Sequence, residues 1–142
     1  MIKVRLNPDE YFEYWLKNKK LADEMYSLSD PDDELDEDAA YALFHHVVDN
    51  KDGVCYPLID RGRGGMLLFV DEHRMVVNDV FVNEEHRCQG VFKGLLEEAK
   101  NIALNAGVHR IEIGVMGENV VAQKCYAKSG FKVESMQMSL KI

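Results

Sequence analysis

The 142-residue chain is short of basic side chains: 17 Lys and Arg stand against 25 Asp and Glu, a formal charge of -8. Nucleic-acid binding depends on many Lys and Arg contacts to phosphate, so this balance argues against it. Cysteine is also scarce. Cys55, Cys88 and Cys125 are odd in number and lack metal-ligand spacing, which favours free thiols in a reducing compartment over a disulfide framework or a metal site. No run of about 18 apolar residues occurs, and no basic segment leads into an apolar one at the start. Neither a membrane span nor a signal peptide is expected, and the expected location is the cytoplasm. Linkers, internal repeats and low-complexity tracts are missing. So is Gly-x-x-x-x-Gly-Lys-Ser/Thr, which disfavours a nucleotide switch.

What is present reads as one domain over residues 1–142, large enough to bury a core. Residues 1–6 alternate as a strand. Asn7, Pro8, Asp9 and Glu10 then supply an N-cap, a first-turn proline and first-turn acids for a helix carrying Tyr11, Phe12, Trp15, Leu16, Leu21, Ala22, Met25 and Tyr26. Residues 27–33 break it, and Ala40, Leu43, Phe44, Val47 and Val48 mark a second helix. Residues 54–59 and 66–70 read as strands joined by a turn through Arg61, Gly62, Arg63, Gly64 and Gly65. That turn superficially resembles an RNA-binding Arg-Gly segment, but a single copy between strands in an acidic chain reads as a hairpin. His45 and Asp49 share a helix face without a third ligand, so a helix surface is the reading rather than a metal site. Acids crowd residues 30–38, a solvated loop and helix start that would also attract a cation.

Residues 74–96 are the most informative stretch. A β-branched run over 75–82 stops at Asn83, a polar segment holds Arg87, Cys88, Gln89 and Gly90, and helical periodicity then begins. Phe92, Leu95, Leu96, Ala99, Ile102 and Ala103 form one apolar stripe opposite Lys93, Glu97, Glu98 and Lys100. Backbone N–H groups at a helix start lack intrahelical partners and sit at the positive end of the dipole, so a strand–loop–helix of this kind can hold a phosphate. Downstream, residues 110–115 read as a strand, Asn119 opens a helix with Ala122, Cys125 and Tyr126, and Gly130-Phe131 closes it.

The loop Arg87-Cys88-Gln89-Gly90 after a strand, Asn119-x-x-Ala122-x-x-x-Tyr126 after the next, and Ser129-Gly130-Phe131 together resemble the GNAT superfamily of acetyl-CoA-dependent N-acetyltransferases. The resemblance covers residues 74–133. It implies a mixed α/β, α+β-like fold: a central, largely antiparallel twisted sheet flanked by about four helices. Phe92 stands where the family's loop usually has a second small residue, and it lies in phase with the buried stripe. The family ends in two strands after Gly-Phe. Here Met136, Met138, Leu140 and Ile142 alternate as one strand and only residues 132–135 remain for the other, so that edge is expected to be truncated or completed by a partner, as in a homodimer.

By the same resemblance, Phe81 and Val82 line the acetyl and pantetheine arm, with a backbone N–H near Val82 serving the thioester oxygen. Arg87, Cys88, Gln89, Gly90, Val91, Phe92, Lys93 and Gly94 hold the pyrophosphate, and Asn119 and Lys124 contact acetyl-CoA from the other side. Tyr126 matches the family's frequent general acid. A phenol of pKa about 10 protonates a thiolate of pKa about 8.5 uphill by roughly 2 kcal/mol, so hydrogen bonding as the sulfur departs suits it better than early proton transfer. Freeing a Lys-like amine at pH 7 costs on the order of 4 to 5 kcal/mol, which calls for a carboxylate or water relay. Asp79 leads the candidates for that base, with Glu84 and Glu112 behind it. Cys125 reads as a packed thiol. The expected partners are acetyl-CoA and an amine acceptor, cationic if the acidic surface steers it, with no metal, nucleic acid or membrane. The rival class is a non-catalytic acyl-CoA-binding regulatory module, which would keep the same loop but lack an acceptor pocket.

Overall fold

The central strand explains the architecture. Gly64–Val70 is buried along its whole length because side chains alternate across the sheet and both faces are covered. In the computed structural model, which describes residues 2–4, 7–26, 37–50 and 53–142, with side chains of 2–4, 18–26, 39, 43 and 50 left aside, five strands form one sheet in chain order. They are β1 (Ile2–Val4), β2 (Val54–Asp60), β3 (Gly64–Val70), β4 (Met75–Val82) and β5 (Ile111–Ile113). The β1–β2, β2–β3 and β3–β4 pairs are antiparallel and β4–β5 is parallel, reached through α3 (Val91–Asn105). The other helices are α1 (Pro8–Tyr26), α2 (Glu37–Asn50) and α4 (Val120–Lys128).

Met66, Leu68 and Val70 point to one face, where they meet Leu58, Met75 and Val77 of the sheet and Phe92, Leu95, Leu96, Ala99 and Ala103 of α3. The stripe expected on α3 is therefore its core face, and Phe92 belongs to it. Leu67 and Phe69 point the other way, to Tyr11 of α1, with Trp15, Phe44, Val47, Val48 and Phe81 packed around them. Gly65 makes room on that second face: a Cβ there would stand 2.9 Å from the Phe81 ring, which lies over its cross-strand partner. Asn7 accepts from the Asp9 N–H at 3.0 Å, the cap expected for α1.

Differences from the sequence reading fall mainly at the edges. The β2–β3 strands run further into the hairpin than the glycines suggested, to a turn at residues 61–63. Strand β5 is limited to three residues within the expected 110–115, and residues 131–142 form no strand. A period-2 pattern makes a strand only when a neighbouring edge accepts its hydrogen bonds. The acids at 30–36, the break at 27–33 and the side chains of Leu21, Ala22, Met25, Tyr26 and Leu43 lie outside the described residues.

Candidate active site

Two irregularities of β4 coincide. Its register with β3 shifts between Leu67 and Leu68, paired with Asp79 and Val77, so Asn78 is the extra residue of a β-bulge. On its other side β4 stops pairing with β5 at Val77 and Ile113, while the strand itself continues to Val82. The parallel pair thus parts at the bulge, and the parting opens a cleft of about 300 Å³. Val77, Asn78, Asp79 and Val80 form one wall, Ile113, Gly114, Val115 and Met116 the other, and Asn119 and Tyr126 of the α4 segment complete it.

Asp79 and Tyr126, named from sequence as base and acid, therefore share one cavity. Tyr11, only 1% exposed, donates its hydroxyl hydrogen to Asp79 Oδ2 at 3.0 Å. Burial first, and then the Asp79 carboxylate, hold the Tyr11 phenol well above its ordinary pKa, so it remains a donor. The Tyr126 ring packs on Phe92 at 5.2 Å and Phe131 at 6.0 Å. Its hydroxyl has no hydrogen-bond partner among the described residues. Burial, then Cys125 and Asp79, raise its pKa and keep it protonated at neutral pH. Desolvation also pushes up the half-buried Cys125 thiol, which reduces its thiolate character.

The other two carboxylates are placed differently. Glu112 accepts from Arg74 at 2.6 Å and Arg110 at 3.3 Å. Burial opposes its ionisation, but these hydrogen bonds outweigh it and hold the carboxyl below its usual range, a poor setting for a base. Glu84 is exposed in the 3-10 turn Glu84–His86, outside the cleft lining.

The loop between β4 and α3 is fastened to the hairpin and to itself. Asn83 donates twice, its backbone N–H to Arg63 O at 2.8 Å and its side chain to Gly62 O at 2.9 Å, and its carbonyl accepts from the His86 N–H at 2.9 Å. Arg87 Nε donates to Val82 O at 3.2 Å and Gln89 Nε2 to Glu85 O at 2.9 Å, so both side chains brace the loop. Gly90 sits at φ +79° in the left-handed region, with open space where a Cβ would be, and caps α3 without any side-chain acceptor. The first turn of α3 contains no acid. Its leading N–H groups, with Lys93 exposed beside them, therefore suit an anion. Val91 and Phe92 are buried in the core and can offer only backbone. Gly94 closes the first helical bond, to Gly90 O at 3.0 Å. Cys88 is exposed at φ +61°.

Phe81 and Val82 do not line the cleft; the Phe81 ring packs at a tilt against Tyr11 and Tyr14 on the α1 face, and Val82 packs against the α3 core. Asn119 does line it, with its Oδ1 already accepting from Ala122 N at 3.1 Å as the α4 cap. Lys124 is exposed on α4. Sequence reasoning missed Asn78, Val80 and the 113–116 wall. The polar pair Asn78-Asp79 inside a β-branched run was the available signal for the bulge, whereas nothing local marked Tyr11 as the partner of Asp79. The expected helix surface at His45 is paired: its Nε2 lies 2.6 Å from Asp9 Oδ1. Among the described residues no group of three His, Cys, Asp or Glu converges as a metal site, and no helix is long and apolar enough to cross a membrane.

A sheet split beside a bulge, next to a loop whose helix start is open to anions, sets a reaction-sized cleft beside a place for a phosphate. The chain matches the Acetyltransferase (GNAT) family over residues 9–131 and belongs to it. No curated protein sequence matches the chain significantly. Among solved structures, a putative acetyl transferase from Pyrococcus furiosus is similar in fold at TM-score 0.72 and 21% identity, covering 100% of both chains. A possible acetyltransferase from Clostridium difficile 630 gives TM-score 0.67 at 19% identity, over 100% of this chain and 98% of the other. The aminoglycoside acetyltransferase AAC(6')-Iy, solved with a bisubstrate analog joining CoA to an acetylneamine, gives TM-score 0.66 at 17% identity over 100% and 98%.

Proposed function

We propose that this chain transfers an acetyl group from acetyl-CoA to a primary amine by direct attack in a ternary complex. The observation that carries the proposal is the convergence of Asp79 and Tyr126 in the cleft between β4 and β5. Family membership and the CoA-bound relative support the co-substrate. The open, uncapped start of α3 fits its phosphates: Gly90 lets the chain turn there, the leading backbone N–H groups donate, and Lys93 adds positive charge. Acetyl-CoA supplies an activated acyl group and a thiolate leaving group.

Asp79, fixed by Tyr11, accepts the proton that the acceptor amine must lose, directly or through water. Backbone N–H groups of β4 beyond Val77, where β5 no longer pairs, are available to the developing oxyanion. The Tyr126 hydroxyl, without a partner among the described residues, donates toward the departing sulfur. Each chemical demand of the reaction then meets a group that the fold leaves free for it.

The acceptor is an amine whose identity a panel can find. Thiol release from acetyl-CoA, measured with polyamines, aminoglycosides, amino acids and peptide amines, should show saturable turnover with one class. Acetyl-CoA binding by calorimetry with no turnover across the panel would favour the non-catalytic module.

A further inference from the structure

We infer that Arg61, at the tip of the β2–β3 hairpin, binds the 3′-phosphate of acetyl-CoA and so sets the preference for the complete cofactor over its 3′-dephospho form. The inference deepens the proposed function and rests on the cofactor's pyrophosphate lying at the start of α3. Arg61, Gly62 and Arg63 form the turn of the hairpin, closed by the Arg63 N–H donating to Asp60 O at 2.9 Å. No step of the acetyl-transfer chemistry uses their side chains.

The hairpin lies along the β4–α3 loop and touches it at both ends. Where the loop begins, Asn83 donates to Arg63 O at 2.8 Å and to Gly62 O at 2.9 Å. Where it ends, Gly64 is so near Val91, the first residue of α3, that a Cβ on it would stand 3.2 Å from Val91 Cγ1. The turn is thus fixed beside the helix start that is open to an anion. Sheet order gives the direction: first the cleft between β4 and β5, then the loop that follows β4, then the β2–β3 turn. An acetyl-CoA with its thioester in the cleft and its pyrophosphate at α3 carries its 3′-phosphate beyond them, on the side where this turn stands.

Charge singles out one residue of the turn. A phosphomonoester carries about -1.5 to -2 charges at neutral pH. The surface around it is otherwise unfavourable, since Glu84 and Glu85 are exposed in the loop and the chain as a whole is -8. A cation is needed, and the neighbouring ones are engaged. Arg87 Nε holds Val82 O at 3.2 Å, and Arg63 Nε lies 3.5 Å from the buried Asp60 carboxylate. Lys93 stands in the first turn of α3, where the pyrophosphate claims it. The Arg61 side chain is exposed and has neither an ion pair nor a hydrogen bond to another described residue. Its planar guanidinium can offer two parallel N–H donors to one phosphate.

Calorimetry of the full chain with CoA and with 3′-dephospho-CoA tests the assignment. Wild type should bind CoA about 10-fold more tightly, the scale of one charge-assisted contact, and high salt should narrow that preference. Arg61→Gln, with an unchanged far-UV spectrum, should bring CoA down to the affinity of the dephospho form while the dephospho form binds as it does to wild type. Arg61→Lys should keep part of the preference. Lys100→Gln removes an equal charge about 14 Å along α3 from its first residue, and should leave the preference intact. A wild type that binds the two ligands equally, or an Arg61→Gln variant that retains the full preference, overturns this inference and spares the cofactor site. A wild type that binds neither ligand at millimolar concentration overturns the site and the inference together.

Discussion

Tyr11 and Asp79, 68 positions apart, meet at 3.0 Å, and through them α1 reaches across the sheet into the cleft opened by the β4 bulge. The buried phenol gives one carboxylate oxygen a fixed donor. It therefore sets the direction in which the other oxygen can accept a proton. Tyr11→Phe keeps the ring and removes that donor. Its expected cost is about 1.5 to 3 kcal/mol of stability, the range for a hydrogen bond to a charged group, together with a several-fold fall in kcat. KM for acetyl-CoA should not move. Asp79→Asn should fall further, by about 100-fold in kcat/KM. Steady-state kinetics and urea unfolding of both variants separate positioning from folding.

This pairing also marks the limit of what the sequence discloses. The α3 stripe, the caps at Asn7 and Asn119 and the β-branched β4 run are local patterns with fixed periods, and each appears where its spacing predicts. Tyr126 was legible because it stands at a motif position, and Asp79 only as one of three acids, with Glu84 and Glu112, that the chemistry of amine deprotonation called for. The bulge that turns Asp79 toward the cleft depends on how β3 and β4 register, and Tyr11 reaches Asp79 only after α1 docks. Both are tertiary facts. The pattern at 136–142 has strand periodicity without a paired edge, since periodicity specifies a face and leaves the partner unstated.

Gly90→Leu tests the loop. No atom obstructs a Cβ at Gly90, so the folding cost comes from its φ of +79° and should be about 1 to 2 kcal/mol. A leucine side chain in that open space would stand beside the first-turn N–H groups. Acetyl-CoA affinity by calorimetry should drop by about 10-fold or more, exceeding what a fraction of unfolded protein explains. Equal affinity with and without Gly90 would move the phosphate site elsewhere.

Cysteine labelling gives a second view of the same loop. Cys88 is exposed in it, whereas Cys55 and Cys125 are half-buried. Iodoacetamide at pH 8 followed by mass spectrometry should modify Cys88 first. Saturating acetyl-CoA should slow that modification several-fold and leave the other two sites unaffected. Unchanged labelling of Cys88 under saturation would show that the loop stays open when the co-substrate binds.

Stability should decline on the alkaline side. Burial pushes the Cys55 thiol from 9.0 up to about 11, and burial followed by the Asp79 charge raises the Tyr11 phenol above 10.0. As pH rises, the unfolded chain loses these protons before the folded one does, so the balance shifts toward unfolding. The thiol's contribution is complete below pH 9 and is lost as pH climbs through 11. Urea midpoints should hold steady to about pH 9 and then fall, and Cys55→Ala should make the decline shallower between pH 9 and 11. Parallel declines in the two proteins would show that the thiol titrates alike in the folded and unfolded states.

Tyr126→Phe decides between a catalytic and a packing role, because the structure separates the two ends of that side chain. The ring is held by Phe92 and Phe131, while the residue lines the cleft and its hydroxyl has no hydrogen-bond partner among the described residues. Removing the oxygen should therefore leave the melting temperature and acetyl-CoA affinity close to wild type, since no internal hydrogen bond is broken and the aromatic packing persists. If the hydroxyl supports the departing thiolate, turnover falls by about 10-fold or more. The loss should also shrink with thioesters whose thiols are more acidic, because a better leaving group needs less help. A stability loss of about 1 kcal/mol with full turnover would instead mean a satisfied hydrogen bond in solution. Full turnover with unchanged stability would remove Tyr126 from the mechanism and leave the thiolate to depart with water as its only donor.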